Sequence, residues 1–433
     1  MKKVYLLLGA LLLITACDND LDQVPPNIAS SDSLEDFGGV LNAAYFYQHA
    51  SITPMAVMGD FRSDNALMDE EPYPAFDRFN ADLIDMEDQF FGPMYTGLYR
   101  SILSTNNVIE NSTDATDIGE AKFLRALSYF KLVQMFGDVP VNLSDSPSTT
   151  DTSILARQPV ADVYNSVIIP DLQDAIGALD TEIRSDGRAT RYAAQGLLGK
   201  VYNTRGDFTS AASQLAAVVS GASAAGIELQ ANFADIFGVD NDLNSEIIFA
   251  SQVSSSITDE YGFSEFWSWS GGLDTKSLMP LDASLIAAFD ASPGDLRRAV
   301  TIDEALMASP KFPQTGGPDH DWIELRLGDV ILLYAEALNE TGSTPAALVE
   351  LNKIRTRAGL ANSTATGQAD VRQAIADERR LELAFEGQRW FDLVRTGTAQ
   401  SVLGFADANY LVAPIPISEI TSSEGVITQN AGY

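Results

Sequence analysis

Hydrophobic residues recur at helical spacing from Leu34 to about residue 222. Apolar positions three and four residues apart predict helices over Leu34–Gln48, Glu87–Asn111 and Glu120–Phe136. The last of these ends where Gly137 and Pro140 interrupt the pattern. This spacing places one apolar stripe on each helix, so the first half of the chain is expected to be mainly α, with each helix packed on a neighbour.

Two longer segments each contain a helix, a glycine turn and a second helix. They cover Ala189–Val219 and Leu325–Leu360, and their helices are rich in alanine. Small side chains let two antiparallel helices approach closely, which is the layout of a tetratricopeptide-type hairpin. The sequence therefore predicts a scaffold of helical hairpins whose repeats are imperfect and scattered.

The composition changes between Leu229 and Pro318, where Gly, Ser, Asp and aromatic residues replace Ala and Leu. Helical periodicity weakens there, and Glu246–Val253 has the composition of a short strand. We expect a loop-rich insertion over about residues 229–318, with few short strands, in which recognition loops could lie.

The N-terminus has the pattern of a bacterial lipoprotein signal. Two lysines precede an 11-residue apolar run, and small residues lead to Cys17. The sequence predicts a signal peptide at 1–16, acylation of Cys17, a flexible tether at 17–31 and one folded domain at 32–433. An ordinary secretory signal is the alternative, whereas a transmembrane span is disfavoured because 11 residues are too few to cross a bilayer.

Charge and cysteine content narrow the classes of function. Removal of Lys2 and Lys3 with the signal leaves 25 basic and 60 acidic side chains, a net charge of −35. Such a chain disfavours nucleic acid as a partner and accepts neutral ligands more easily, although the acidity could equally serve solubility. Cys17 is the only cysteine and there are two histidines, so thiol nucleophiles and cysteine metal sites are excluded.

An aromatic cluster in the insertion is the first candidate ligand site. Large rings stand among Ser and Gly rather than among aliphatic residues, at Tyr261, Phe263, Phe266, Trp267 and Trp269. Flat rings suit the apolar faces of pyranose sugars, and the indole N–H can bond a hydroxyl group. The alternative is a small satellite core beneath a loop.

A second candidate is the segment Arg62-Ser63-Asp64-Asn65, followed by Tyr73. Arg62, Asp64 and Asn65 carry forked polar groups that can bond paired sugar hydroxyls, with an aromatic ring nearby. A turn stabilised by the side chains of Asp64 or Asn65 explains the same residues.

Two acidic patterns favour a structural role over metal binding or catalysis. Asp240–Glu246 alternates oxygen side chains as a calcium loop does, but it lacks the sixth-position glycine and the twelfth-position acid, so a solvated turn is the better interpretation and no cofactor is expected. Glu378, Glu382 and Glu386 stand four residues apart beside arginines, which predicts a structural ion-pair network.

Five segments carry a further signal: DERRLELAFEGQRWFDLVRTG at Asp377–Gly397, EAKFLRALSYFKLVQMFGDVPV at Glu120–Val141, RLGDVILLYAEALNE at Arg326–Glu340, LNKIRTRAGL at Leu351–Leu360, and the ending APIPISEI…TQNAGY. Together they resemble the SusD/RagB family of outer-membrane nutrient-binding lipoproteins of the Bacteroidota. Residues Arg62-Ser63-Asp64-Asn65, which we call the RSDN segment, are also similar to a family segment at the corresponding position. Asp18–Asp20 resembles the acidic tag that sends such lipoproteins to the cell surface.

The resemblance implies a SusD-like α/α superhelix of four tetratricopeptide-like helix pairs with a loop-built glycan-binding face. It also implies a partner, a SusC-like TonB-dependent transporter, to which the protein delivers oligosaccharides in polysaccharide utilization, without catalysis. A neutral glucan is the expected ligand because of the net charge. The alternatives are peptide binding, as in the RagB branch, and glycoside hydrolysis, for which 60 acidic residues offer many carboxylate pairs.

Overall fold

The computed structural model describes residues 36–148, 150–181, 186–253, 263, 281–312 and 319–433. The signal peptide, Cys17 and the tether lie outside the described residues. The α-helices are α1 (Gly38–Tyr47), α2 (Ile52–Phe61), α3 (Gly92–Asn111), α4 (Ala115–Phe136), α5 (Val160–Val163), α6 (Ile169–Ala178), α7 (Arg191–Thr204), α8 (Phe208–Gly221), α9 (Ala283–Asp290), α10 (Arg298–Thr301), α11 (Leu327–Glu340), α12 (Thr344–Arg357), α13 (Gln368–Glu382), α14 (Arg389–Arg395), α15 (Ala399–Leu403) and α16 (Ile417–Ser422). The strands are β1 (Val139–Pro140), β2 (Arg157–Gln158), β3 (Ile247–Ser251) and β4 (Trp322–Arg326).

Short helical turns of other types connect these elements. Single π-helical turns at Glu87–Phe91 and Tyr164–Ile168 lead into α3 and α6. The 3₁₀ turns are Gln48–Ser51, Tyr73–Phe76, Ala81–Met86, Thr152–Leu155, Ser223–Ala225, Phe233–Ile236, Val239–Asn241 and Ala408–Leu411.

Both predicted helical hairpins are confirmed, as α7 with α8 and α11 with α12. The first begins where the Thr190 side chain accepts a hydrogen bond from the backbone N–H of Ala193, and Asp207 caps α8 in the same way. A Cβ atom on Gly199 would lie 2.5 Å from the Leu215 side chain. The absence of a side chain at Gly199 is therefore what lets these two helices approach.

The helices pack in succession to form the scaffold. In sequence order α1 packs on α3, α3 on α4, α4 on α6, α6 on α7 and α7 on α8, and α8 then packs on α11, which contacts α12 and α13. This stack confirms the predicted mainly α fold class with few short strands. No helix in the described ranges has both the length and the apolar character needed to cross a membrane.

A two-stranded sheet joins the stretch predicted to be loop-rich to the chain that leads into α11. The predicted strand is confirmed as β3, which pairs antiparallel with β4 so that Ser251 lies opposite Trp322. Between residues 229 and 318 the described chain also forms α9, a two-turn helix, and the one-turn helix α10, which the weak periodicity did not predict. Asp282 caps α9 by accepting a hydrogen bond from the N–H of Ser284. Aspartate is so frequent in this acidic chain that this one capping residue could not mark the start of a helix in the sequence.

The predicted ion-pair network is confirmed and lies in the core. Arg326 pairs with Glu382 and Glu386 at 2.7 Å, and all three side chains are at most 3% exposed. We call the following set the arginine–glutamate network: Glu246, Asp295, Arg297, Lys311, Arg326, Arg355, Arg357, Glu378, Glu382 and Glu386. Its five basic and five acidic groups balance in charge, which a buried cluster requires. The cations come from four separate parts of the chain and not only from neighbouring helices.

Candidate functional site

Arg62, at the end of α2, is directed into the core. Its guanidinium donates hydrogen bonds to the carbonyl oxygens of Phe76 (2.9 Å) and Tyr410 (2.5 Å). It also lies 4.7 Å from the ring centre of Phe79 and 5.0 Å from that of Trp390. Burial lowers the pKa of Arg62 to about 10. This side chain joins three distant parts of the fold, and none of its surface is exposed to a ligand.

Asp64 and Asn65 are held by arginines of the C-terminal third. The Asp64 carboxylate accepts two hydrogen bonds from Arg389, at 2.7 and 2.9 Å. Burial alone would raise the pKa of Asp64, but Arg389 and Arg380 hold it below its usual value. Asn65 is fully buried, donates to Asp60 at 2.9 Å and accepts from Arg380 at 3.1 Å.

Tyr73 is only 6% exposed, and its ring packs edge-on against Phe90 with centroids 6.5 Å apart. Together with Arg62, Asp64 and Asn65 it makes its contacts within the chain. This geometry favours the alternative that the sequence left open, a structural turn, over direct sugar contact at these four residues.

The described chain on the C-terminal side of the aromatic cluster contacts the RSDN segment. The aromatic residues Tyr261, Phe266, Trp267 and Trp269 lie outside the described residues, but both ends of their segment are described. At the start, the N–H of Val253 donates to Asp321 at 2.8 Å. At the end, the N–H of Asp282 donates to the carbonyl oxygen of Asn65 at 3.1 Å, and Ser284 donates to that of Asp64 at 2.9 Å. Sequence reasoning missed this connection, because residues 220 positions apart make it.

Phe263 is the described member of the aromatic cluster, and it is buried. Its ring packs edge-on against Phe312 and Trp322, with centroids 4.9 Å apart in both cases. For Phe263 the structure therefore supports the alternative interpretation, a small satellite core beneath a loop. The contact ties Phe263 to β4, since Trp322 is the first residue of that strand.

Two carboxyl groups with raised pKa lie beside the start of the segment. Burial, with repulsion from Asp242, raises the pKa of Asp321 to about 7, and burial with repulsion from Asp240 and Asp319 raises that of Asp242 to about 6. A carboxyl that titrates near neutral pH can donate or accept a hydrogen bond, as sugar hydroxyls require. Asp321 was not predicted as a site residue.

The calcium-like segment Asp240–Glu246 gains no support as a metal loop. Glu246 is occupied by Arg326 at 2.8 Å and by Arg357 at 3.2 Å. In the part of the chain that the structure describes, no group of three or more His, Cys, Asp or Glu side chains is arranged to hold a metal ion.

Comparisons with known proteins bear on the whole chain. A sequence model described as "SusD family" matches residues 301–433, and another, described as "Starch-binding associating with outer membrane", matches residues 17–203. Among curated relatives, SusD-like protein P2 of Formosa agariphila is 25% identical and is covered over 100% of both chains. Starch-binding protein SusD of Bacteroides thetaiotaomicron is 25% identical over 75% of this chain and 74% of its own length.

Solved structures share the fold over nearly the full length. A SusD superfamily protein from Parabacteroides distasonis superposes with a TM-score of 0.79 at 22% identity, covering 94% of this chain and 100% of that one. A structure described as a laminarin-binding SusD-like protein gives a TM-score of 0.76 at 26% identity, over 92% and 99%. The two matching sequence models, the full-length relatives and the shared helical scaffold agree with one another, and the chain belongs to the SusD-like family.

Proposed function

We propose that this chain is a cell-surface glycan-binding lipoprotein that captures oligosaccharides and passes them to a SusC-like TonB-dependent transporter in the outer membrane, without catalysis. The observation that carries the proposal is the attachment of residues 254–281, which contain the aromatic cluster and which we call the ring-rich segment. Both of its ends and Phe263 are fixed to the scaffold, at Asp321, at Asn65 and at Trp322. Anchored ends reduce the number of conformations open to a segment rich in aromatic and polar residues, which would lower the entropic cost of binding a sugar there.

The relatives support glycan as the ligand class. One curated relative is a starch-binding protein, one solved relative binds laminarin, and the matching N-terminal sequence model is described as associating with the outer membrane. Starch and laminarin are neutral glucans. A mature net charge of −35 is compatible with neutral sugars and opposes polyanionic ones, because a strongly negative surface repels them.

The test is titration calorimetry of the soluble chain that begins after Cys17. Malto- and laminari-oligosaccharides, alginate oligosaccharides and a peptide mixture serve as ligands, and each sample is analysed afterwards for cleavage products. We expect binding of one neutral glucan class with no products. Heat from peptides alone would move the protein to peptide capture, and new reducing ends would establish hydrolysis.

A double variant locates the site. Trp267→Ala with Trp269→Ala is expected to abolish glucan binding while the far-ultraviolet circular dichroism is unchanged. Val349→Ala, which alters a 60% exposed side chain on α12, serves as the control and should bind as the parent does. Full affinity in the double variant would remove these rings from the site.

Anchoring and partnership need the full chain in cells. We expect Cys17→Ser to shift the protein from the membrane fraction to the soluble fraction, because the acyl chains would be lost. Affinity purification of the parent from detergent-treated membranes is expected to recover a TonB-dependent barrel. Recovery of the chain alone would contradict the transporter partnership.

A further inference from the structure

A surface cavity of about 220 Å³ lies away from the RSDN segment, between α1, residues 186–188 and the end of β3. We call it the α1 cavity. Its lining includes Asn42, Phe46, Asp186, Arg188 and Gln252. Its volume suits a single sugar ring better than a protein element.

Phe46 at the mouth of this cavity is 49% exposed. In the described ranges every other phenylalanine and tryptophan is buried or partly buried, so an exposed ring is unusual for this chain. Leu41 and Ala44 of the same helix are fully buried, which shows that α1 packs by another face. The rings of Tyr47 and His49 lie 5.7 and 5.5 Å from that of Phe46 and restrict its movement. A restrained, solvent-facing ring is the surface on which the C–H face of a pyranose stacks.

Planar polar groups in the cavity are already held in place. Arg188 donates a hydrogen bond to buried Glu120 at 2.9 Å, lies 5.2 Å from the ring centre of Tyr45, and bonds the side-chain oxygen of Asn42. Gln252 donates to the carbonyl oxygen of Asp186 at 2.8 Å. Within the part of the chain described, the amide nitrogen of Asn42 and the side-chain oxygen of Gln252 have no hydrogen-bond partner. One donor and one acceptor are thus available to sugar hydroxyls beside the ring.

The charge around the cavity selects among sugars. The guanidinium of Arg188 is balanced by Glu120 at 2.9 Å and faces Asp186 at 3.8 Å. Two carboxylates against one cation leave no net positive charge for a uronate or a sulfate ester. The cavity also lies next to the start of the ring-rich segment in sequence, since Gln252 stands two residues before residue 254.

We propose that the α1 cavity is a further sugar subsite, in which Phe46 stacks on a neutral pyranose while Asn42 and Gln252 bond its hydroxyls. This inference rests on the proposed glycan-binding function and extends it. A subsite at this place would lengthen the bound portion of an oligosaccharide beyond the ring-rich segment. Its contribution would therefore increase with the length of the ligand.

The test compares Phe46→Ala with the parent, using malto- and laminari-oligosaccharides of increasing length. Loss of one stacking contact is expected to weaken binding of the longer oligosaccharides about threefold to tenfold, with a smaller effect on the shortest ones. Phe46→Tyr keeps a flat ring and should restore the affinity. Because residue 46 is exposed, these changes leave the core intact, and circular dichroism checks the fold.

Leu103→Ala is the matched control, since that side chain is 41% exposed on α3 and does not line the cavity. Equal affinity of Phe46→Ala and the parent at every length would overturn the subsite while leaving the proposed function intact. A parent that binds no glycan would overturn both. Tighter binding of alginate oligosaccharides than of glucans, lost in Phe46→Ala, would keep the site but overturn its preference for neutral sugars.

Discussion

The guanidinium of Arg326 lies 2.7 Å from the carboxylate of Glu382, and both side chains are at most 1% exposed. Burial by itself would raise the pKa of Glu382, yet Arg357, Arg326 and Arg297 hold it well below its ordinary value. Arg326 stands at the junction of β4 and α11, whereas Glu382 is the last residue of α13. This pair therefore joins the β3–β4 sheet to the C-terminal helices.

Removal of Arg326 should destabilise the whole domain. Arg326→Ala leaves Glu246, Glu382 and Glu386 without their shared cation, and breaking a buried pair from one side costs about 3–5 kcal/mol. Urea unfolding followed by circular dichroism measures the loss. Arg372→Ala is the control, because its pair with Glu340 is half exposed (51% for Arg372) and should contribute less than about 1 kcal/mol. Similar losses in the two variants would contradict this account of the network.

Gly59 of α2 is expected to tolerate no side chain. A Cβ atom there would lie 2.2 Å from the carbonyl carbon of Gly387, where backbone meets backbone and neither can move aside. Gly59→Ala should lower the free energy of unfolding by about 3 kcal/mol. Gly177→Ala in α6 meets nothing within 4 Å and should raise stability by about 0.5–1 kcal/mol through helix propensity. Thermal melting of both variants measures these changes in stability. An unchanged melting temperature in Gly59→Ala would contradict the predicted backbone clash.

Asp321 should make stability depend on pH. Burial and the nearby Asp242 raise its folded-state pKa from 3.8 to about 7, so ionisation is penalised in the folded state. The neutral carboxyl incurs no penalty below about pH 4, and stability is lost as the pH rises from there through about 7. Asp321→Asn keeps an oxygen to accept the hydrogen bond from Val253 and removes the ionisation.

We expect the stability of Asp321→Asn relative to the parent to increase by about 3–4 kcal/mol between pH 4 and pH 7.5. Denaturant unfolding at a series of pH values measures this difference. A difference that stays constant over the range would show that Asp321 ionises freely in the folded state.

The helical scaffold was readable from the sequence because its signals are local. Hydrophobic spacing within one helix and a glycine between two helices located α7, α8, α11 and α12. The strand β3 followed from composition, and the row Glu378, Glu382 and Glu386 indicated the ion-pair network through its helical spacing.

The interpretation of the RSDN segment depended on contacts that no local pattern encodes. Arg62 is buried because Tyr410 and Trp390, more than 300 positions away, enclose it. The sequence alone could not distinguish this buried guanidinium from one that binds a ligand, because the donor groups are the same. Phe46 shows the reverse case, since its place in an apolar helix gave no sign that the ring is exposed beside a cavity.

The sequence by itself determined the signal pattern, the charge, the helical hairpins and the family resemblance, because each depends on residue identity and short-range spacing. Only the tertiary structure decided which polar groups are hydrogen-bonded within the protein and which remain available to a ligand. Burial and hydrogen bonding are settled by the packing of distant segments, and the free energy of a polar group depends on the partners that packing supplies.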